Sequence, residues 1–170
     1  VTWAAGLAAH SKNIQVYATV HTAFNHPIVV AKQLATLDQM SGGRLGLNVV
    51  AGWNKPEYDA FGIDLPSDHS DRYAMAQEWF DYTQKLWTAD TAFDWDGDFY
   101  QGKGVYSLPH PVQPKIPIIN AAGSEEGRVF AMRNADFLFT PVFDFDQAKA
   151  TVADIAERAA SVNRKVDVLT

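Results

Sequence analysis

The sequence contains no cysteine. That absence excludes disulfides, thiolate catalysis and cysteine-ligated metals. No apolar run approaches the roughly 18 residues that span a bilayer, so no membrane segment is expected. Positive charge is scarce: 14 Lys and Arg stand against 20 Asp and Glu, a net charge of −6. The basic residues are scattered, which argues against nucleic-acid binding, since that needs a basic stripe. No HExxH motif occurs, and His10, His21, His26, His69 and His110 form no spacing suited to a metal, so none is expected. A G-x-S-x-G nucleophile elbow, a phosphate loop ending in Gly-Lys-Ser/Thr and the dinucleotide G-x-G-x-x-G are missing too. So is a charged n-region followed by an apolar h-region, so no signal peptide is expected and a cytoplasmic setting is. The chain begins at Val1 without an initiator Met, which reads as a fragment. What is present is ordinary for a soluble domain: 170 residues, 47 % hydrophobic and 20 % charged. That is enough for one compact domain with a core.

The pattern along the chain alternates. Thr2 to Ala9 reads as the end of a helix, and Ile14 to Val20 as a strand rich in β-branched and aromatic residues. Asn25-His26-Pro27 opens a helix whose buried face is Val30, Ala31, Leu34 and Leu37, and Gly42-Gly43 stops it. Leu45 to Ala51 is nearly all apolar, as in a parallel strand covered on both faces. A long loop follows from Gly52, with Asp71 as the expected N-cap of the next helix. In that helix Tyr73, Ala76, Phe80, Thr83 and Trp87 repeat at helical spacing. Phe93 to Pro117 reads as an irregular excursion holding a small hairpin. Strands are expected at 118–122, 137–142 and from Val166, with helices from Ser124 to Asn134 and from Gln147 to Val162. Such alternation implies a parallel sheet covered by helices, either open and doubly wound or closed as a barrel. A complete barrel has eight strands over about 250 residues. This chain has five, so as a barrel it is partial: residues 1–170 form one partial domain with its excursion at about 90–117.

Four motifs stand where ligands meet α/β folds, at the carboxyl ends of strands. Asn48 is an amide inside an apolar run, open to two readings: a tie between strands, or a group aimed at a ring edge. In Gly52-Trp53-Asn54-Lys55-Pro56-Glu57, Trp53 could wall a ring and Glu57 could accept its hydrogen bonds; the plain alternative is a packed Trp and a solvated Glu. Arg72, in Asp71-Arg72-Tyr73, could pair with a phosphate or merely with a surface carboxylate. Its positive charge near a helix N-terminus opposes the dipole. Asn120 to Gly127 is a strand-to-helix turn whose Ser124 and free amides suit either an anion or an ordinary cap, with Glu125 and Glu126 opposing the anion unless they turn away. His21, just after a strand, reads either as an acid–base group at the mouth or as a satisfied structural histidine.

Taken together and in order, these strings resemble the luciferase-like flavin monooxygenases. The resemblance runs through HPIVVAKQLATLDQMSGGR (26–44), NVVAGWNKPE (48–57), DRYAMAQEW (71–79), FDWDGDFY (93–100), PVQPKIP (111–117) and AGSE (122–125). The GWNKPEY stretch is most similar to the subgroup of pyrimidine, alkanesulfonate and dimethyl sulfone monooxygenases.

The resemblance implies a (β/α)8 barrel holding reduced FMN at its mouth. It also implies oxygenation of a small organic substrate, an organosulfur compound or a pyrimidine. By the same resemblance Asn48 and Glu57 contact the flavin region, Arg72 and Tyr73 its phosphate side, and Ser124 the phosphate. A flavin reductase is the implied partner and a homodimer the implied assembly. In the sulfonate enzymes a catalytic Arg/His pair lies on the strand that begins here near Val166, and the sequence ends before reaching it, so no catalytic residue is assigned. Two alternatives share the fold: a deazaflavin (F420)-dependent oxidoreductase and a non-catalytic flavin-binding homologue.

Overall fold

A computed structural model describes Val1–Thr170. Contacts divide it into two compact units, Val1–Ile116 and Pro117–Thr170.

The first unit holds α1 (Thr2–His10), β1 (Val16–His21), α2 (Pro27–Ser41), β2 (Leu45–Val50), α3 (Lys55–Ala60), α4 (His69–Thr88), β3 (Phe93–Asp96) and β4 (Gln101–Val105). β1 and β2 are parallel, in register from Val16 opposite Leu45 to His21 opposite Val50. Period-two alternation gives this pair two faces. Val16, Ala18, Val20, Leu45, Leu47 and Val49 point to one of them and are buried, as are Val30, Ala31, Leu34 and Leu37 of α2. The α2 face expected from helical spacing is thus the observed one. Trp79 and Trp87 of α4 donate their indole N–H groups to the carbonyls of Asn25 (2.7 Å) and Ala31 (3.0 Å). That satisfies each buried ring while docking α4 on α2.

The other face carries Tyr17, Thr19 and His21 opposite Gly46, Asn48 and Val50. The apolar run of β2 suggested burial on both sides. Instead Asn48 and Val50 are only half-buried and Thr19 is exposed. Gly46 permits this arrangement, because a Cβ there would collide with the Tyr17 ring lying across it.

Polar staples fix the connections. Gly42, at φ 66°, ends α2 in the left-handed conformation. Arg44 then donates to the carbonyls of Ser41 (2.8 Å), Ile14 (2.8 Å), Ala8 (2.9 Å) and Ser11 (3.0 Å). The excursion does contain the expected hairpin, β3 antiparallel to β4. Glu78 of α4 holds it, accepting from Trp95 Nε1 (3.1 Å), Phe99 N (2.9 Å) and Tyr100 N (2.9 Å). Asp38 of α2, fully buried, accepts from the Val112 and Gln113 amides (2.7 and 3.0 Å) and from Gln113 Nε2 (2.7 Å).

Two expectations need correction here. The segment after Gly52 is not all loop: Lys55–Ala60 forms α3, with Pro56 in its first turn where a missing N–H costs nothing. The N-cap of α4 is Asp68, not Asp71; Asp68 Oδ1 accepts from Ser70 N at 2.8 Å, which starts the helix three residues early.

The second unit holds β5 (Ile118–Asn120), α5 (Glu125–Asn134), β6 (Phe137–Phe139), α6 (Phe145–Ser161) and β7 (Asp167–Leu169), with the three strands parallel. α6 starts at its Asp144 cap, slightly ahead of the expected Gln147, and β6 ends at Phe139, short of the expected residue 142. Phe130, Ala131, Ile155 and Ala159 are buried where α5 meets α6. Arg164 closes the last turn, donating to the carbonyls of Met132, Arg133 and Ala135.

Candidate active site

The carboxyl ends of β1 and β2 collect the polar groups that the core does not use. Asn48 donates through Nδ2 to Thr19 Oγ1 (3.2 Å), which fixes the amide plane. Its Oδ1 is buried and has no partner. An unpaired buried acceptor costs about 1–3 kcal/mol, so its retention needs a reason. The sequence offered a strand-to-strand tie or a ligand contact for Asn48; the structure contains the tie and also a free acceptor.

Two residues on, His21 ends β1. Its Nδ1 lies 3.1 Å from Tyr58 Oη, and its ring stacks on Phe24 with centroids 5.4 Å apart. Phe24 in turn stacks on Tyr58 at 4.3 Å. Tyr58 is fully buried. Burial raises its phenol pKa, helped by the nearby Glu57 carboxylate and opposed by Arg72. Gly52, at φ 111°, runs over the Tyr58 hydroxyl so closely that any Cβ would overlap it.

The other residues singled out by sequence sit differently. Glu57, in the first turn of α3, is exposed, and so is Trp53 at 77 %. Arg72 is buried, with Nη1 donating to the carbonyls of Pro66 (2.5 Å) and Ser67 (3.0 Å), so it clamps the loop entering α4. The surface ion pair considered from sequence is not what its Nη1 makes. Its Nε is buried and unpartnered. Tyr73, next along α4, is half-buried.

In the second unit Ser124 caps α5, its Oγ accepting from Gly127 N at 3.1 Å. The amides of the first turn have no preceding carbonyl within the helix. Glu125 is turned aside to Arg158 (2.6 Å), which also binds Asp154 (2.8 Å). One of the two carboxylates that would oppose an anion at this turn is therefore engaged elsewhere.

The sequence did not pair His21 with Tyr58. They are 37 residues apart, and Gly52 packs closely against the Tyr58 hydroxyl where they meet.

The model of the luciferase-like monooxygenase family matches residues 1–170. The chain belongs to this family. It is 41 % identical over 139 residues to a pyrimidine monooxygenase of Escherichia coli, covering 81 % of the chain and 38 % of that relative. The chain thus spans less than half the length of the curated relative it matches. Among solved structures, a riboflavin lyase determined with modified FMN and riboflavin matches with a TM-score of 0.87 at 25 % identity, over 98 % of this chain and 42 % of that one. An F420-dependent secondary alcohol dehydrogenase matches at 0.83 and 23 % identity, over 98 % and 52 %, and speaks for the fold alone. The expected fold class holds: the parallel strands and covering helices are part of a luciferase-like (β/α)8 barrel.

Proposed function

We propose that the protein is a flavin-dependent monooxygenase that uses reduced FMN and O2 to oxygenate a small organic substrate, with a pyrimidine ring as the favoured substrate class. Family membership and the 41 % identity to a pyrimidine monooxygenase support it. The observation that carries it is the buried, unpartnered Oδ1 of Asn48 at the carboxyl end of β2. A flavin ring edge offers the N–H that this oxygen lacks.

Reduced FMN supplies two electrons, so that one atom of O2 enters the substrate and the other leaves as water. The chain binds and orients. Asn48 accepts from the ring edge. Tyr73 and Arg72 serve the phosphate side, Arg72 through its charge and its remaining N–H groups. The Ser124 turn offers its first-turn amides to phosphate oxygens. Glu57 is assigned to the flavin region at its edge, where it is open to solvent. The same reading carries a flavin reductase as transient partner, a homodimer as assembly and the cytoplasm as location.

Anaerobic titration with reduced FMN tests this. Saturable binding, weakened about tenfold by Asn48→Ala as expected for one lost hydrogen bond, followed by O2 uptake with uracil, is the expected result. Failure to bind FMN in either redox state, with binding of a deazaflavin instead, would give the site to hydride transfer.

A further inference from the structure

His21 has one satisfied nitrogen and one that is not. Nδ1 meets Tyr58 Oη, and Nε2 has no protein partner. Tyr58 is fully buried and its pKa is raised, so its hydroxyl stays protonated, and His21 Nδ1 is its hydrogen-bond partner. The phenol can donate to Nδ1, and in that tautomer the ring carries its proton on Nε2. The ring is also fixed in place. It stacks on Phe24, and its Nδ1 is held by Tyr58 Oη.

His21 and Thr19 alternate onto the same strand face, about 6.6 Å apart along β1. Thr19 holds the Asn48 amide with its Oδ1 left over. Side by side, then, this face offers an unused acceptor from Asn48 and an unused donor from His21. This ring is immobilised on two sides.

We propose that His21 is a ligand-reading residue: its Nε2–H donates to a ring carbonyl whose adjacent N–H is accepted by Asn48 Oδ1, so that the pair reads a lactam or imide edge. This rests on the function proposed above. Both the flavin ring system and a pyrimidine such as uracil present that edge. Tyr58 is the positioning residue, setting the tautomer from behind.

The test is made on the full-length protein with three probes: oxidised FMN by fluorescence titration, uracil in turnover, and 15N NMR of the His21 ring. The expected resonances in the wild type are those of the neutral Nε2–H tautomer, shifting when the ligand is added. His21→Ala raises either the FMN dissociation constant or the uracil KM about tenfold, the scale of one lost hydrogen bond. The first outcome makes the flavin the source of the edge; the second makes it the substrate. Tyr58→Phe moves the same parameter in the same direction by less, and broadens the tautomer signature. A wild type that binds FMN and turns over uracil, while His21→Ala leaves both constants unchanged, sinks this proposal alone. A wild type that binds no FMN removes the monooxygenase reading and this proposal with it.

Discussion

Asp38 and Glu78 on one side, and Asn48 and His21 on the other, satisfy their hydrogen-bonding groups in opposite ways. Each carboxylate receives three hydrogen bonds from donors distant in sequence. Asn48 and His21 each make one side-chain hydrogen bond and keep one atom in reserve. The two carboxylates that hold the excursion against the helices are saturated, because an unsaturated one would loosen the fold. Asn48 and His21, at the carboxyl ends of β1 and β2, are held by one end and left open at the other. Unspent hydrogen-bonding capacity separates this pair from those two carboxylates; Tyr82 Oη, His110 Nε2 and Arg128 Nε are also buried without a partner, so it is the position at the strand ends that makes Asn48 and His21 a candidate site.

The sharpest break in this comparison is Asp38→Ala. It strips the partner from two backbone amides and one side-chain amide around a fully buried position. Loss of about 3 kcal/mol is expected from those unpaired groups. Denaturant unfolding reads it as a lowered midpoint with an unchanged slope. A loss below about 0.5 kcal/mol, the level of an ordinary surface substitution, would mean that the staple is not structural. Glu78→Gln is milder, because the amide keeps one acceptor but turns an N–H toward donors. Roughly 1.5 kcal/mol is expected, together with faster proteolysis in the 93–105 hairpin.

Asn48→Ala should behave in the reverse sense. Removing a side chain that already carries an unpaired atom changes stability by less than about 0.5 kcal/mol. It weakens FMN about tenfold, or about 1.4 kcal/mol. A variant that unfolds without changing flavin affinity would place Asn48 among the scaffold groups and erase the contrast.

How much of this was legible in the sequence follows from the physics of each feature. Alternation of β-branched runs with helical spacing is local, so the strands and helices were readable, and the Val30–Leu37 face was found correctly. The ordered family strings named the fold and brought Asn48 forward. Cap and turn chemistry was less readable, because the string Asp68-His69-Ser70-Asp71 offers two equivalent caps and only backbone geometry selects the first. The short helix α3 was hidden by its Pro and its charges. What Arg72 does was illegible, since its Nη1 is spent on loop carbonyls five and six residues back. The His21–Tyr58 pairing joins residues 37 apart and has no spacing signature.

The smallest effect concerns pH, and it sharpens the scaffold side of the comparison. Tyr100, in the turn of the hairpin that Glu78 holds, has its phenol pushed up from 10.0 to about 12, first by burial and then by the Glu78 carboxylate. Its folded pKa lies above its unfolded one, so the folded state holds the proton more tightly. The resulting stability is fully present below pH 10 and is lost as pH rises toward 12. Tyr100→Phe removes that term. Stability measured by urea unfolding at pH 9, 10 and 11 should therefore fall less steeply in the variant than in the wild type, while Asn48→Ala should leave the slope alone. Parallel slopes for wild type and Tyr100→Phe would mean that the phenol reaches water when the hairpin breathes. The hairpin would then be held less firmly than the saturation of Glu78 implies.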